Sequence, residues 1–214
     1  MTIIVYEQGI LMTDSKRVMN PGEWDAYGSL DDKIVNCGEF AYATCGGDIR
    51  KEYVPWLERA LRATFFTYWM DVKVTHFRDN HSTDVASITK YRNVYRYWTN
   101  IYGSLIKFPP AKFDLIAMSR DSALHIKRET PDDPEKSWII TTDTKVLASS
   151  SLAYSIYRRA GQPPIEAIQS VIEHSELCCG PVHFARNEDL NDFEFEAFVD
   201  FLLEHEKLSI GEKE

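Results

Sequence analysis

The chain has 214 residues, 44% of them hydrophobic, with 24 Lys and Arg against 33 Asp and Glu, a formal net charge of −9. This apolar content suffices for the core of one domain, or of one domain with an insertion, and the acidic balance argues against nucleic acid as the main partner, because phosphate binding draws its affinity from clustered cations. No apolar run reaches the roughly 18 residues of a membrane span, so no membrane partner is expected.

The first segment, Thr2-Ile3-Ile4-Val5-Tyr6, is β-branched and apolar. Glu7-Gln8-Gly9 supplies a turn and Ile10-Leu11-Met12-Thr13 a second strand, so the chain opens on a hairpin. A two-residue turn at Gln8-Gly9 pairs Thr2 with Ser15, and a three-residue turn pairs Thr2 with Asp14. Both registers bring Asp14 within one residue of Thr2; the sequence leaves the choice open. Residues 19–32 read as loop, followed by strands at Lys33–Cys37 and Glu39–Thr44 and a tight turn at Cys45-Gly46-Gly47. A helix is predicted from Ile49 to about Tyr68, with Tyr53, Trp56, Leu57, Ala60 and Leu61 on one face and Pro55 as a point of bending or restart.

Residues 71–83 read as irregular, and a second helix is predicted from Asp84 to about Leu105, ended by Pro109-Pro110. Its Tyr91-Arg92-Asn93-Val94-Tyr95-Arg96-Tyr97-Trp98 run interleaves aromatics with Arg. At helical spacing an amphipathic core face explains it more simply than base stacking. Strands follow at Phe113–Ser119, Ala123–Arg128 and Ser137–Thr141, with Thr130–Pro134 as a turn. Helices are predicted over Leu152–Ala160, stopped by Gly161, and over Ile165–His174. Val182–Ala185 reads as a strand, and from Asp189 an acidic helix carries Phe195, Phe198, Phe201 and Leu202 on one side. Segregated runs of strands and helices indicate layered α+β architecture.

The four cysteines, at 37, 45, 178 and 179, form no disulfide framework, and no signal-peptide pattern opens the chain, so a reducing, cytoplasmic setting is expected. The six histidines show no metal spacing; His76 and His81 lack a Cys or carboxylate companion. No cofactor is called for. Cys178 beside His174 or His183 suggests a catalytic thiol, but nothing orients such a pair, and buried structural cysteine is the simpler reading.

Each candidate for chemistry is ordinary alone: a Thr near the start, Asp14 after a strand, Lys33 before one, a Gly-Gly turn. In order they form a pattern. Thr2-Ile3-Ile4-Val5, Gly9-Ile10-Leu11-Met12-Thr13-Asp14-Ser15, Lys33-Ile34 and Ala43-Thr44-Cys45-Gly46-Gly47-Asp48 resemble the proteasome β-subunit and its bacterial HslV-type relative. The likeness covers about residues 2–64 and 113–186. Ser149-Ser150-Ser151 stands where the family has Gly-Ser-Gly, and Ser175–Val182 is similar to its Asp-x-x-Ser-Gly-Gly segment. Small phage-encoded members share the short first hairpin and the Gly-Pro-Val ending.

The resemblance implies an α+β, four-layer αββα sandwich of the N-terminal-nucleophile type over residues 1–188, with 189–214 as an acidic C-terminal helix. It implies Thr2 as the nucleophile once Met1 is removed, its own α-amine as base, Lys33 held charged by Asp14 to lower that amine's pKa, and the Gly46 (or Gly47) N–H as oxyanion donor. Ser150, Ser175 and Cys178 take the supporting positions, although Ser175 replaces the family's Asp and Cys178 its Ser. The implied substrate is an amide, usually in a peptide. The family assembles into rings and often depends on an ATP-driven unfoldase, which makes a homo-oligomer and such an unfoldase the implied partners; the unmatched stretch 65–112 leaves ring, dimer and monomer open. Two other readings stand beside it: an inactive fold serving as a binding or assembly scaffold, and an amidase for small amides with a narrow closed pocket.

Overall fold

The computed structural model describes residues 3–15, 33–47, 51–79, 108–128, 137–141, 146–149, 152–175 and 180–211. Thr2, Ser150, Cys178, the helix expected at 84–105 with its Arg–aromatic run, and the turn expected at 130–134 lie outside these residues. The chain divides into two compact units, residues 1–55 with 109–191, and residues 56–108 with 192–214.

The first unit carries two antiparallel sheets. In one, β1 (Ile4–Glu7) and β2 (Ile10–Thr13) form the expected hairpin, flanked by β8 (Val146–Ser149) on β1 and β9 (His183–Arg186) on β2, in the order β8-β1-β2-β9. In the other, β3 (Ile34–Asn36), β4 (Phe40–Gly47), β5 (Phe113–Ser119), β6 (Ala123–Arg128) and β7 (Ser137–Thr141) follow one another as a meander. The sequence anticipates β5, β6 and β7 to the residue. It misses β8, and β4 extends through Gly47 where a tight turn was expected.

The hairpin turn has two residues. Glu7 pairs with Ile10, and both Gln8 (φ 52°) and Gly9 (φ 78°) adopt left-handed backbone, as a type I′ turn requires. Gly9 supplies this freely, and a Cβ there would strike the Asn187 side chain. Gln8 meets the steric cost of the left-handed region, so Gln8→Asn is expected to raise unfolding free energy by up to about 1 kcal/mol. Urea titration checks this; an unchanged midpoint would show that Gln8 carries no such cost.

Period-2 alternation on the hairpin builds two cores. Ile4 and Leu11 point between the sheets and pack with Ile34, Ala41, Ala43, Ile116, Met118 and Ala123. Ile3, Val5 and Met12 point the other way, onto Tyr154 of helix α2 (Leu152–Arg159) and Ala167, Ile168, Val171 and Ile172 of helix α3 (Pro164–Glu173). A helix pair, a sheet and a second sheet therefore stack as three layers. Each fully buried aliphatic side chain contributes roughly 1.5–3 kcal/mol. Both helices end within a residue of expectation: Gly161 and Gln162 N–H close α2 onto the carbonyls of Arg158 and Tyr157.

At the turn end of β1, Glu7 is buried and ties α2 to the sheet. It accepts a 2.5 Å hydrogen bond from the Tyr154 hydroxyl and a forked interaction from Arg158, whose Nε lies 3.0 Å from each carboxylate oxygen. Burial pushes the Glu7 carboxyl up, but the Arg158 and Tyr154 hydrogen bonds and the Arg158 charge outweigh it, leaving it below its ordinary value of 4.5. Tyr154 is raised by burial and by Glu7. The unfolded chain therefore takes up this proton more readily, so the contribution of Glu7 is full above about pH 4.5 and fades as pH falls through the lower folded value. Glu7→Gln is expected to be less stable than the parent at pH 7, with the gap narrowing below pH 4.5. Denaturation midpoints from pH 3 to pH 7 decide it, and a gap independent of pH would overturn it.

The second unit contains most of helix α1 (Val54–Asp79) and helix α4 (Phe195–Gly211). A 3-10 turn (Lys51–Tyr53) precedes α1, and Pro55 sits in its first turn, where no intrahelical acceptor awaits its missing N–H. The helix continues past Tyr68 through residues expected to be irregular. Phe66 centres an aromatic cluster, with ring centroids 4.8 Å from Phe193, 4.6 Å from Phe198 and 5.6 Å from Phe201. The apolar side of α4 is thus buried as the sequence indicates. Among the described residues no helix is long and apolar enough to cross a membrane.

Candidate active site

Asp14 follows β2 directly and Lys33 precedes β3 directly, so each sits at the end of a strand in a different sheet. The two ends meet. Lys33 Nζ donates to Asp14 Oδ1 at 3.0 Å, with side-chain exposures of 5% and 0%. The same oxygen accepts the Ile3 backbone N–H at 3.1 Å. A charge pair this buried persists only where further hydrogen bonds satisfy it, and the Ile3 amide supplies one.

The register of the hairpin places the carboxylate. With Ile4 opposite Thr13, Ile3 falls opposite Asp14, and the N–H and carbonyl of Ile3 point toward β2 beyond the last ladder pair. The buried Thr13 hydroxyl donates to the Ile3 carbonyl at 2.9 Å. Both polar groups of Ile3 are thereby held by side chains of β2. Thr13 was not singled out from sequence; once the two-residue turn is known, the ladder count identifies it.

Next to Asp14, the Ser15 hydroxyl donates to the Pro181 carbonyl at 2.7 Å. Gly180 (φ 85°) allows this approach, since a Cβ there would lie 2.7 Å from Ser15 Cβ. The segment after α3 is thus pinned beside the Asp14 strand end. Ser175, at the other end of that segment, is partly buried, and its N–H reaches the Ile172 carbonyl at 3.4 Å.

Gly46 lies near the end of β4. The ladder with β5 pairs Thr44 with Leu115 and Gly47 with Phe113, so Cys45 and Gly46 together oppose the single residue Asp114. This is a bulge, a device that turns backbone groups out of the ladder. It replaces the expected tight turn, since a Gly pair permits either geometry. Because β3 pairs Ile34 with Ala43, the Lys33 end of β3 and the bulged end of β4 lie at the same end of the sheet.

The sequence also gave no sign of a carboxylate–imidazole pair beside the bulge. Asp114 Oδ1 and His125 Nε2 lie 2.7 Å apart on adjacent strands, one diagonal step from the Ile116–His125 pairing. Eleven residues separate them, and the Ser119–Ser122 turn that brings them together has no glycine to announce it; Ser119 N–H donates to the Ser122 carbonyl at 2.7 Å. His174 and His183 bracket a segment whose Cys178 is outside the described residues.

The structure therefore brings Asp14, Lys33, the Ile3 amide, Ser15 and Pro181 together, and sets Gly46 in a bulge on the strand that pairs with β3. No protein-family model matches the chain, and no curated protein matches it. Among solved structures, the crystal structure of eukaryotic HslV from Trypanosoma brucei is similar over 86% of this chain and 98% of that one, at 14% sequence identity and a TM-score of 0.46.

Proposed function

We propose that the chain is a threonine hydrolase of the proteasome and HslV type, cleaving amide bonds in peptides with Thr2 as N-terminal nucleophile after removal of Met1. The observation that carries this reading is the buried Asp14 carboxylate, which binds Lys33 Nζ and the Ile3 N–H through one oxygen. That N–H belongs to the Thr2–Ile3 peptide bond, so the Asp14–Lys33 pair is one residue from the proposed nucleophile.

In this mechanism the neutral α-amine of Thr2 accepts the hydroxyl proton as the oxygen attacks the substrate carbonyl. A free α-amine titrates near 7.7–8.0, and the Lys33 charge beside it favours the neutral, proton-accepting form. Asp14 keeps Lys33 charged and oriented. The Gly46 N–H, in the bulge where Cys45 and Gly46 together oppose Asp114, is proposed to meet the oxyanion. The tetrahedral adduct expels the amine, which takes the proton from the Thr2 ammonium, and an ester on Thr2 remains. Water, deprotonated by the same α-amine, hydrolyses it. Ser150, Ser175 and Cys178 are proposed to support the amine by hydrogen bonding, without a carboxylate's charge. The four-layer αββα arrangement, a homo-oligomeric assembly and an ATP-driven unfoldase partner belong to the same proposal.

Intact-mass spectrometry before and after incubation with an epoxyketone or β-lactone probe tests it. The expected result is a chain lacking one methionine that gains a single adduct, which Thr2→Ala abolishes. A full-length mass with no adduct would overturn the enzyme and leave the fold as a scaffold.

A further inference from the structure

A groove of about 470 Å³ runs between α3 and β9 in the first unit, on the helix-covered side of the β8-β1-β2-β9 sheet. Its apolar floor comes from Ile165, Val182 and Phe184, and Phe184 is 49% exposed. Its polar lining includes Gln162, Ser170 and Glu166.

Strand β9 forms one edge of its sheet among the described residues. The direction of its free backbone groups follows from the register. Glu7 and Ile10 exchange hydrogen bonds across the two-residue turn, so Leu11 and Thr13 turn their polar groups toward β9, onto Ala185 and His183. Phe184, opposite Met12, therefore turns its N–H and carbonyl outward, along the same edge that carries its exposed ring. A short edge strand with outward backbone groups and a neighbouring apolar floor is a template for an added strand.

Two further features favour a peptide over an apolar ligand. Gln162 lines the groove and its side-chain oxygen is buried without a hydrogen-bond partner, so rotation of that amide toward the groove lets it accept a peptide N–H. Glu166 gives the lining a carboxylate, and among the described residues no lysine or arginine lines the groove. Arg186 lies over the Phe184 ring and leans toward Glu188, at 3.9 Å.

We infer that the β9–α3 groove docks an extended peptide by adding a strand to β9, with an apolar side chain on Phe184 and Ile165 and a basic side chain toward Glu166. The partner is an unfolded or extended segment of another protein that carries an apolar and a basic residue two positions apart, so that both face the groove. Its lining includes neither Asp14 nor Lys33, and docking there does not depend on hydrolysis.

Fluorescence anisotropy of the Thr2→Ala chain with a labelled peptide of repeating Val-Thr-Lys-Thr sequence, which puts Val and Lys on one face, tests this without turnover. N-methylation of the peptide amides that face β9 is expected to weaken binding by roughly tenfold or more, and methylation of the alternate set by much less. Phe184→Pro removes the outward N–H but no ladder bond, and is expected to weaken binding comparably while the circular dichroism spectrum is kept. Glu166→Gln is expected to weaken it a few-fold and to reduce its salt dependence. Equal binding by the two methylated peptides, or no binding by a folded chain, would overturn the proposal. So would a dimer in sedimentation that Phe184→Pro dissolves, since the edge would then belong to a second copy. Should Phe184→Pro unfold, the two methylated peptides alone decide. None of these outcomes bears on probe labelling at Thr2, so the two proposals fail separately.

Discussion

Asp14→Ala is expected to lower unfolding free energy by about 3–5 kcal/mol, because it removes the carboxylate that pairs with the Lys33 charge, which is only 5% exposed. The Ile3 N–H loses its acceptor at the same time. Domains of this kind have about 5–15 kcal/mol in total, so the variant should sit near the edge of stability at 37 °C. Urea denaturation should show a lower midpoint with an unchanged slope. Replacing both partners, as Asp14→Ala with Lys33→Met, should recover much of the loss, since an apolar pair leaves no orphaned charge. Under the proposed function neither variant hydrolyses an amide, because the double variant restores packing and not the ammonium. A double variant no more stable than Asp14→Ala would show that the pair's role is not one of mutual charge compensation. An unchanged midpoint for Asp14→Ala itself would show that the contact is not formed in solution.

Phe66→Ala is expected to cost about 3–5 kcal/mol in the second unit, the range for removing a fully buried aromatic side chain. Phe66 is 0% exposed and touches the rings of Phe193, Phe198 and Phe201, so truncation opens a cavity walled by side chains from both α1 and α4. Phe66→Leu should lose distinctly less, because it keeps most of the volume. Hydrogen exchange locates the effect: protection should fall over 195–204 and over α1. If Phe66→Ala melted with the parent, the packing of α4 on α1 would carry little of the unit's stability.

Much of the fold is legible in the sequence where a single physical signal is undiluted. β5 carries the unbroken apolar run Leu115-Ile116-Ala117-Met118, β6 alternates Leu124 and Ile126 with His125 and Lys127, and the ends of β5, β6 and β7 fall where expected. β8 is only four residues long and stands close to the start of α2, so no run of alternation sets it apart. The far end of α1 was hidden for the opposite reason. Asp71 and Val72 are exposed, so the helix there has no buried stripe for periodicity to reveal. At the site, Asp14 and Lys33 were suggested by resemblance, not by spacing, since they stand nineteen positions apart and flank strands of different sheets. Which side of β2 the carboxylate takes depends on positive φ at Gln8, a residue type that does not ordinarily signal such a turn. The Gly46 bulge and the Asp114–His125 pair arise from register between strands, which no local pattern encodes.

The place of β1 in the middle of its sheet also sets a timetable for synthesis. β2 ends at residue 13, but the strands that cover the two flanks of the hairpin begin at residues 146 and 183. At about 5–20 residues per second, a ribosome leaves the hairpin uncovered for roughly 7 s or longer before β8 emerges. Closure of this sheet therefore comes late, because its two central strands wait for partners made more than 130 residues after them.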